Sequence, residues 1–542
     1  MPNRSTDPLF QLIKSLEKSE KRNFKLYATR NSSSDELKSV QLFDALDKMD
    51  DYDETILLKK NESIKKQQLS NLKAHLYKQI LSSLRLIDAE SIDIQLHEQM
   101  DYARILYNKG LYHQSLKVLD RLKELAKSNN QLTYLQQVLF FEKKIEALYI
   151  TRSMQDRADH LSRDSDEVSD SLSLVSQLSN LSLQLYSWYI KNGHSRNEEE
   201  TMAVQQFFLS RLGNKTPECK SFYQRLYLYQ CYCWNAFIRQ DFLQYYRYTQ
   251  KWVNLFDEEP YMLKIETAHY IKGMHNLMGS HFDLGNHAKL IETLTKFEEF
   301  SKTDLVQYNV NNRIQCFVYG TISLFNKHFL EGSFTEGLAL VPGIEEKIKE
   351  YEIYLDRHRI LVFYYKIACL YFGNGSYEKA IDYLNKIINW KVDLRTDLQC
   401  YSRLLHLIAH YELGNEDILD HLIKSVYRFM AKMQNLSVVE EEIFRFIRSS
   451  FHVSVKDIKP ELKKLLVKLK AVQDNRFETR AFSYLDIISW LESKLENIPV
   501  QDVMKRKFAA RRRPQQVGAT SSSSDYPQTG SEGLFSDIVF AE

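Results

Sequence analysis

Breaks in an otherwise helical pattern recur at nearly even spacing, and this restricts the chain more than any other feature. Turn signals stand at Gly193, Gln240-Asp241, Gly285-Asn286, Gly332-Ser333, Gly375-Ser376 and Gly414-Asn415, at intervals of 47, 45, 47, 43 and 39 residues. Between them the chain is poor in helix breakers: 16 glycines and 9 prolines in 542 residues. Both residue types are costly inside a helix, so each interval has room for two long helices. A single helix pair cannot bury both of its faces, so a series of pairs must stack on its neighbours.

The tightest unit is Tyr364–Trp390. Ile367, Ala368 and Tyr371 share one face of its first helix; Tyr377, Ala380, Ile381 and Leu384 share one face of its second. Ala368 and Ala380 let the two backbones approach closely, and Gly375 supplies the positive φ that ends the first helix. Tyr364, Ile367-Ala368, Tyr371, Gly375-Ser376-Tyr377 and Ala380 follow the order of the tetratricopeptide-repeat signature, with Leu384 in place of its usual aromatic. The stretch therefore resembles that family. It departs at Ile387, where the family has a small residue, and at Val392, where it has Pro. The resemblance implies an all-α, TPR-like helix-pair solenoid whose work is to bind a protein or peptide on its concave face. Tyr102-Ala103, Leu106, Gly110-Leu111-Tyr112, Ser115 and Leu119 repeat the pattern earlier in the chain. Intervals above the 34-residue consensus indicate lengthened helices or loops.

Four regions follow. Residues 1–90 form an N-terminal helical head, 91–453 the TPR-like array, 454–497 the C-terminal capping helices, and 498–542 a disordered basic tail with an apolar end. In the head, Leu69, Leu72, Leu76, Ile80, Leu84 and Ile87 mark a helix over 64–87 that carries Lys65, Lys66, Lys73, Lys78 and Arg85 without an acid. Acids just upstream, from Asp44 to Glu54, offset that charge, so the face reads as solvated rather than as a DNA reader. Gln155–Ser171 is too polar for a packed pair and is expected to be an exposed loop or a poorly packed helix end. The apolar stretch Leu172–Tyr189 resumes the array. In the tail, Lys505, Arg506, Lys507, Arg511, Arg512 and Arg513 are the candidate contacts to nucleic acid or an acidic partner, and Ser521–Asp525 marks disorder.

The formal net charge of +2 gives no overall pull toward nucleic acid or membrane. No apolar run approaches membrane-spanning length, and the N-terminus lacks a signal-peptide core, so a cytoplasmic protein is expected. The six cysteines contain no C-x-x-C; Cys231 and Cys233 point to different faces of a helix, and reduced core thiols are expected. No phosphate loop, H-E-x-x-H or G-x-S-x-G occurs. His406 and His410 share a face without a third ligand, and His269, His275, His281 and His287 recur every six residues and cannot form one face. The aromatic run from Phe222 to Trp252, interleaved with Arg225, Arg239, Arg247 and Lys251, reads as inter-helix core. Neither catalytic residue, cofactor nor metal site is expected. The leading function is an interaction scaffold or adaptor that binds a peptide or helix. The alternative is a nucleic-acid-associated regulator with the array as sensor.

Overall fold

The computed structural model describes residues 7–29, 34–61, 63–148, 156–213, 217–390, 396–433, 436–450, 458–473, 475–478 and 486–512. Among these the regular elements are all helices. The head, Pro8–Ser15, Lys18–Thr29, Ser34–Asp47, Glu54–Lys60 and Lys66–Ile87, closes around its own core of Leu9, Ile13, Phe24, Leu42, Phe43, Leu46, Leu76 and Ile80. Asp7 caps the first helix by accepting from the Phe10 amide, and Pro8 follows at the first helical position. Its other carboxylate oxygen pairs with Lys73, which also donates to the Tyr52 hydroxyl at 2.9 Å. One of the five expected basic residues is thus spent inside the head.

The array is a TPR-like helix-pair solenoid. Successive pairs include Ile92–Asn108 with Tyr112–Ser128, Phe222–Ile238 with Phe242–Glu258, and Thr267–Asp283 with His287–Ser301. Next come Val310–Glu331 with Phe334–Leu338 and Val341–Glu350, then Arg357–Gly373 with Tyr377–Ile388 and Thr396–Glu412 with Glu416–Lys432. The turns share one geometry. The residue with positive φ is Gly110, Gln240, Gly285, Gly332, Gly375 or Gly414. The next residue donates its amide to the carbonyl five positions back: Leu111 to Leu106, Asp241 to Ala236, Asn286 to His281, Ser333 to His328, Ser376 to Tyr371 and Asn415 to His410. This bond satisfies a carbonyl left open at the helix end and fixes the angle at which the second helix returns.

Side chains are small where pairs meet most closely. Ala368 and Ala380 are fully buried between their helices, and a Cβ on Gly373 would lie only 2.2 Å from the Phe334 ring of the preceding pair. First helices of neighbouring pairs also touch one another: Thr267–Asp283 meets Val310–Glu331, which meets Arg357–Gly373, which meets Thr396–Glu412. The second helices of these pairs make at most marginal contact with each other. Shorter spacing on one side of a stack bends it toward that side, so the first helices line the inner face.

Two sequence expectations need correction. From residue 157 on, the polar stretch is neither loop nor loose end: Arg157–Asn192 is one helix of 36 residues. Leu161, Ser165 and Val168 form a narrow buried stripe, and the Arg157 guanidinium forms an ion pair with Glu146 at 2.6 Å, so few apolar residues suffice to hold it. The chain also does not loosen at residue 498. Val500–Arg512 is a helix that folds back onto the turn of Val310–Glu331, with Val500 and Val503 buried. Gly332 makes this possible, since a Cβ there would meet the Lys505 amide nitrogen at 2.7 Å and the Gln501 carbonyl oxygen at 2.9 Å. Phe508 then sits edge-on to His287 at 4.7 Å, so the helix crosses two successive turns. Residues 513–542, including Ser521–Asp525 and the apolar end, lie outside the described residues.

Candidate functional site

The inner face carries side chains that a packing core does not need. On Thr267–Asp283, the half-buried Lys272 and His275 and the exposed Asp283 fall at helical spacing on one side, while Ile271, Met274 and Met278 are buried on the other. The next first helix contributes Tyr319, Asn326 and Phe329, and the one after it Arg359 and Lys366. The preceding one contributes Trp234.

These groups interlock across helices. The Lys272 ammonium lies 5.1 Å from the centre of the Tyr319 ring and 6.0 Å from that of Trp234. His275 stacks on Tyr319 with ring centres 4.1 Å apart and planes at 15°. Lys366 donates to Asn326 Oδ1 at 2.7 Å, and its ammonium faces the Phe329 ring at 5.2 Å and the Phe282 ring at 5.9 Å. The wall is therefore cationic heads on aromatic faces, an arrangement that holds an ammonium where water is scarce.

Its electrostatics are strained. Burial pushes the Lys272 ammonium down to about 8, and the Arg359 charge adds to the effect. Burial likewise lowers Lys366 to about 8, with Cys369 and Asp283 opposing it. Burial pushes Asp283 up to about 7 against the opposing charge of Lys366. His275 is held well below its ordinary range by burial and then by Lys272, Lys366 and Arg359, so it is neutral near pH 7, and its Nδ1 has no hydrogen-bond partner. Among the described residues no carboxylate lies within ion-pair distance of Lys272, whereas Arg359 is paired with Asp356 at 3.2 Å. A half-buried surface rich in donors and aromatic faces suits an extended chain with apolar side chains and an acid.

The residues singled out from sequence fall elsewhere. Ile367, Ala368 and Ala380 are buried in the pair, Gly375 has φ of 85°, Tyr371 stacks on Tyr383 at 5.6 Å, and Tyr377 meets Phe372 at 5.2 Å. All six build the repeat and none belongs to the inner wall. In the basic cluster, Lys505 lies 3.5 Å from Glu336, Arg506 pairs with Glu496 through both amino groups at 2.5 and 2.7 Å, and Lys507 pairs with Glu492 at 2.8 Å. These three cations hold the C-terminal helix in place. Arg511 is exposed, Arg512 ends the helix, and Arg513 lies outside the described residues.

The aromatic run divides. Phe222, Tyr245 and Trp252 are buried core, and Tyr232 stacks on Tyr248 at 4.2 Å, while Trp234 turns to the inner wall. His406 and His410 approach to 3.3 Å between their Nε2 atoms, and among the described residues no group of three His, Cys, Asp or Glu side chains is arranged to hold a metal ion. No helix among the described residues is long and apolar enough to cross a membrane. Lys272, Tyr319 and Lys366 escaped the sequence reading, and His275 entered it only as a rejected metal ligand, because nothing in it distinguished inner from outer face. The available signal was a lysine set among apolar residues on each of two array helices.

No protein-family model matches the chain, and no curated protein does. Among solved structures, the apo form of the quorum sensor NprR from B. thuringiensis is similar over 72% of this chain and 98% of that one, with 13% identity and a TM-score of 0.37, too remote a likeness to say what this chain does.

Proposed function

We propose that this chain is a non-catalytic interaction protein whose array holds a partner peptide against its inner face. One observation carries the reading: Trp234, Lys272, His275, Tyr319 and Lys366, from four successive first helices, form a continuous half-buried wall of rings and cations. Such a wall adds little to packing. An extended segment laid along it would bury its apolar side chains on the rings and leave its backbone within reach of the polar groups. The head and the folded-back C-terminal helix then act as closures of the array.

Panning a random decapeptide library over the full-length chain tests this. Recovered peptides should bind the wild type, and Trp234→Ala and Tyr319→Ala should each weaken them at least tenfold, about 1.4 kcal/mol, as anchoring aromatics do. Failure to recover any saturable binder, or binders indifferent to both substitutions, would sink the proposal.

A further inference from the structure

We infer that the array completes one superhelical turn and meets itself along a polar seam, which parts to admit a partner segment to the inner face. The inference rests on the peptide-binding reading and adds how its site is reached. Two contacts carry it, both between parts of the chain that are remote in sequence. Arg313, in the first turn of Val310–Glu331, pairs at 2.7 Å with Glu17, 296 residues away and just ahead of the head helix Lys18–Thr29. Glu198, which opens Glu198–Leu212, pairs with Arg476, 278 residues away and beyond Ile458–Val472. The two separations nearly agree, as they must where successive turns of one superhelix lie side by side. With turn signals 39 to 47 residues apart, they correspond to roughly six to seven helix pairs per turn.

The seam is thin. Neighbouring helices within the array pack along their length, but the head helices make at most marginal contact with Val310–Glu331, and Glu198–Leu212 makes at most marginal contact with any helix beyond Phe222–Ile238. The ion pairs are open to water: the Glu17 and Arg476 side chains are each 40% exposed and that of Glu198 55%. Pairs so exposed hold weakly and are screened by salt. A closed turn makes the inner face a channel, and a segment flanked by folded domains cannot thread one. The seam, held by charges rather than by an apolar core, is where the turn gives way.

The test uses full-length protein in solution scattering, with no ligand. Arg313→Glu/Arg476→Glu should raise the radius of gyration by roughly a tenth, and raising sodium chloride from about 0.05 to about 0.5 M should move the wild type the same way. Adding Glu17→Arg and Glu198→Arg should restore the wild-type value, which unfolding would not allow. Lys424→Glu, which breaks a pair with Asp420 inside one helix, should leave it unchanged. A library-selected peptide inserted in a folded carrier should associate with Arg313→Glu/Arg476→Glu at least about fivefold faster than with wild type. An unchanged radius after charge reversal overturns the seam, and a larger radius with unchanged association overturns its role as the entry. A library without binders counts against the peptide reading alone, since scattering reads the seam without a ligand.

Discussion

Replacing Lys272 by Met should make the protein more stable, an unusual expectation for a residue assigned to function. Lowering an ammonium from its ordinary 10.5 to about 8 corresponds to roughly 3 kcal/mol against its charged folded form, an upper bound for a half-buried group that water still reaches. Met keeps the apolar stem against Trp234 and Tyr319 and gives up the attraction of the ammonium to those rings, worth about 0.5–2 kcal/mol. A net gain of about 1 kcal/mol remains, read by denaturant titration in buffer free of multivalent anions. Its pH dependence is the sharper signature. A lysine depressed in the folded state contributes stability that is present above its unfolded value and lost as pH falls through 8. The advantage of Lys272→Met should therefore be full below pH 8, shrink between 8 and 10.5, and disappear above. A variant less stable than wild type at pH 7, or one whose advantage ignores pH, would refute the claim that this charge is buried without a partner.

Other expectations follow from the same geometry. Gly375→Val places a β-branched residue at φ of 85° with open space around it, so backbone strain alone should cost about 1–2 kcal/mol in a melt. Ala380→Trp, at a fully buried contact, should wedge the pair apart and cost about 1–3 kcal/mol. Unchanged melting of both would mean the pair is not packed as described. Gly332→Ala should push away the C-terminal helix, seen as lost amide-exchange protection over residues 500–508; retained protection would count against that docking. Asp283 is raised to about 7, so its stabilising contribution is present below about 3.8 and lost as pH rises through 7. Asp283→Asn should match wild type below pH 4 and gain on it by pH 8.

The repeat was legible because it is local. Every turn position picked from sequence between Gln240 and Gly414 has positive φ, and Gln240 shows that the turn geometry overrides the usual preference for Gly. The helix at Arg157–Asn192 was misread because a polar composition hides a stripe as narrow as Leu161, Ser165 and Val168. The helix at Val500–Arg512 was misread for a different reason: its stability comes from Gly332, His287, Glu492 and Glu496, all remote or on a neighbouring element. The inner wall was legible only as scattered residues, not as one surface. Which face of a helix turns inward depends on how pairs stack, and that is set by close approaches such as Gly373 on Phe334 rather than by any one helix.

The most direct test of the central claim is amide hydrogen exchange on the full-length protein with and without a library-selected peptide. Binding on the inner face should add protection over Thr267–Asp283, Val310–Glu331 and Arg357–Gly373, with His287–Ser301 and Tyr377–Ile388 little changed. Protection confined to those second helices, or to the head, would contradict it.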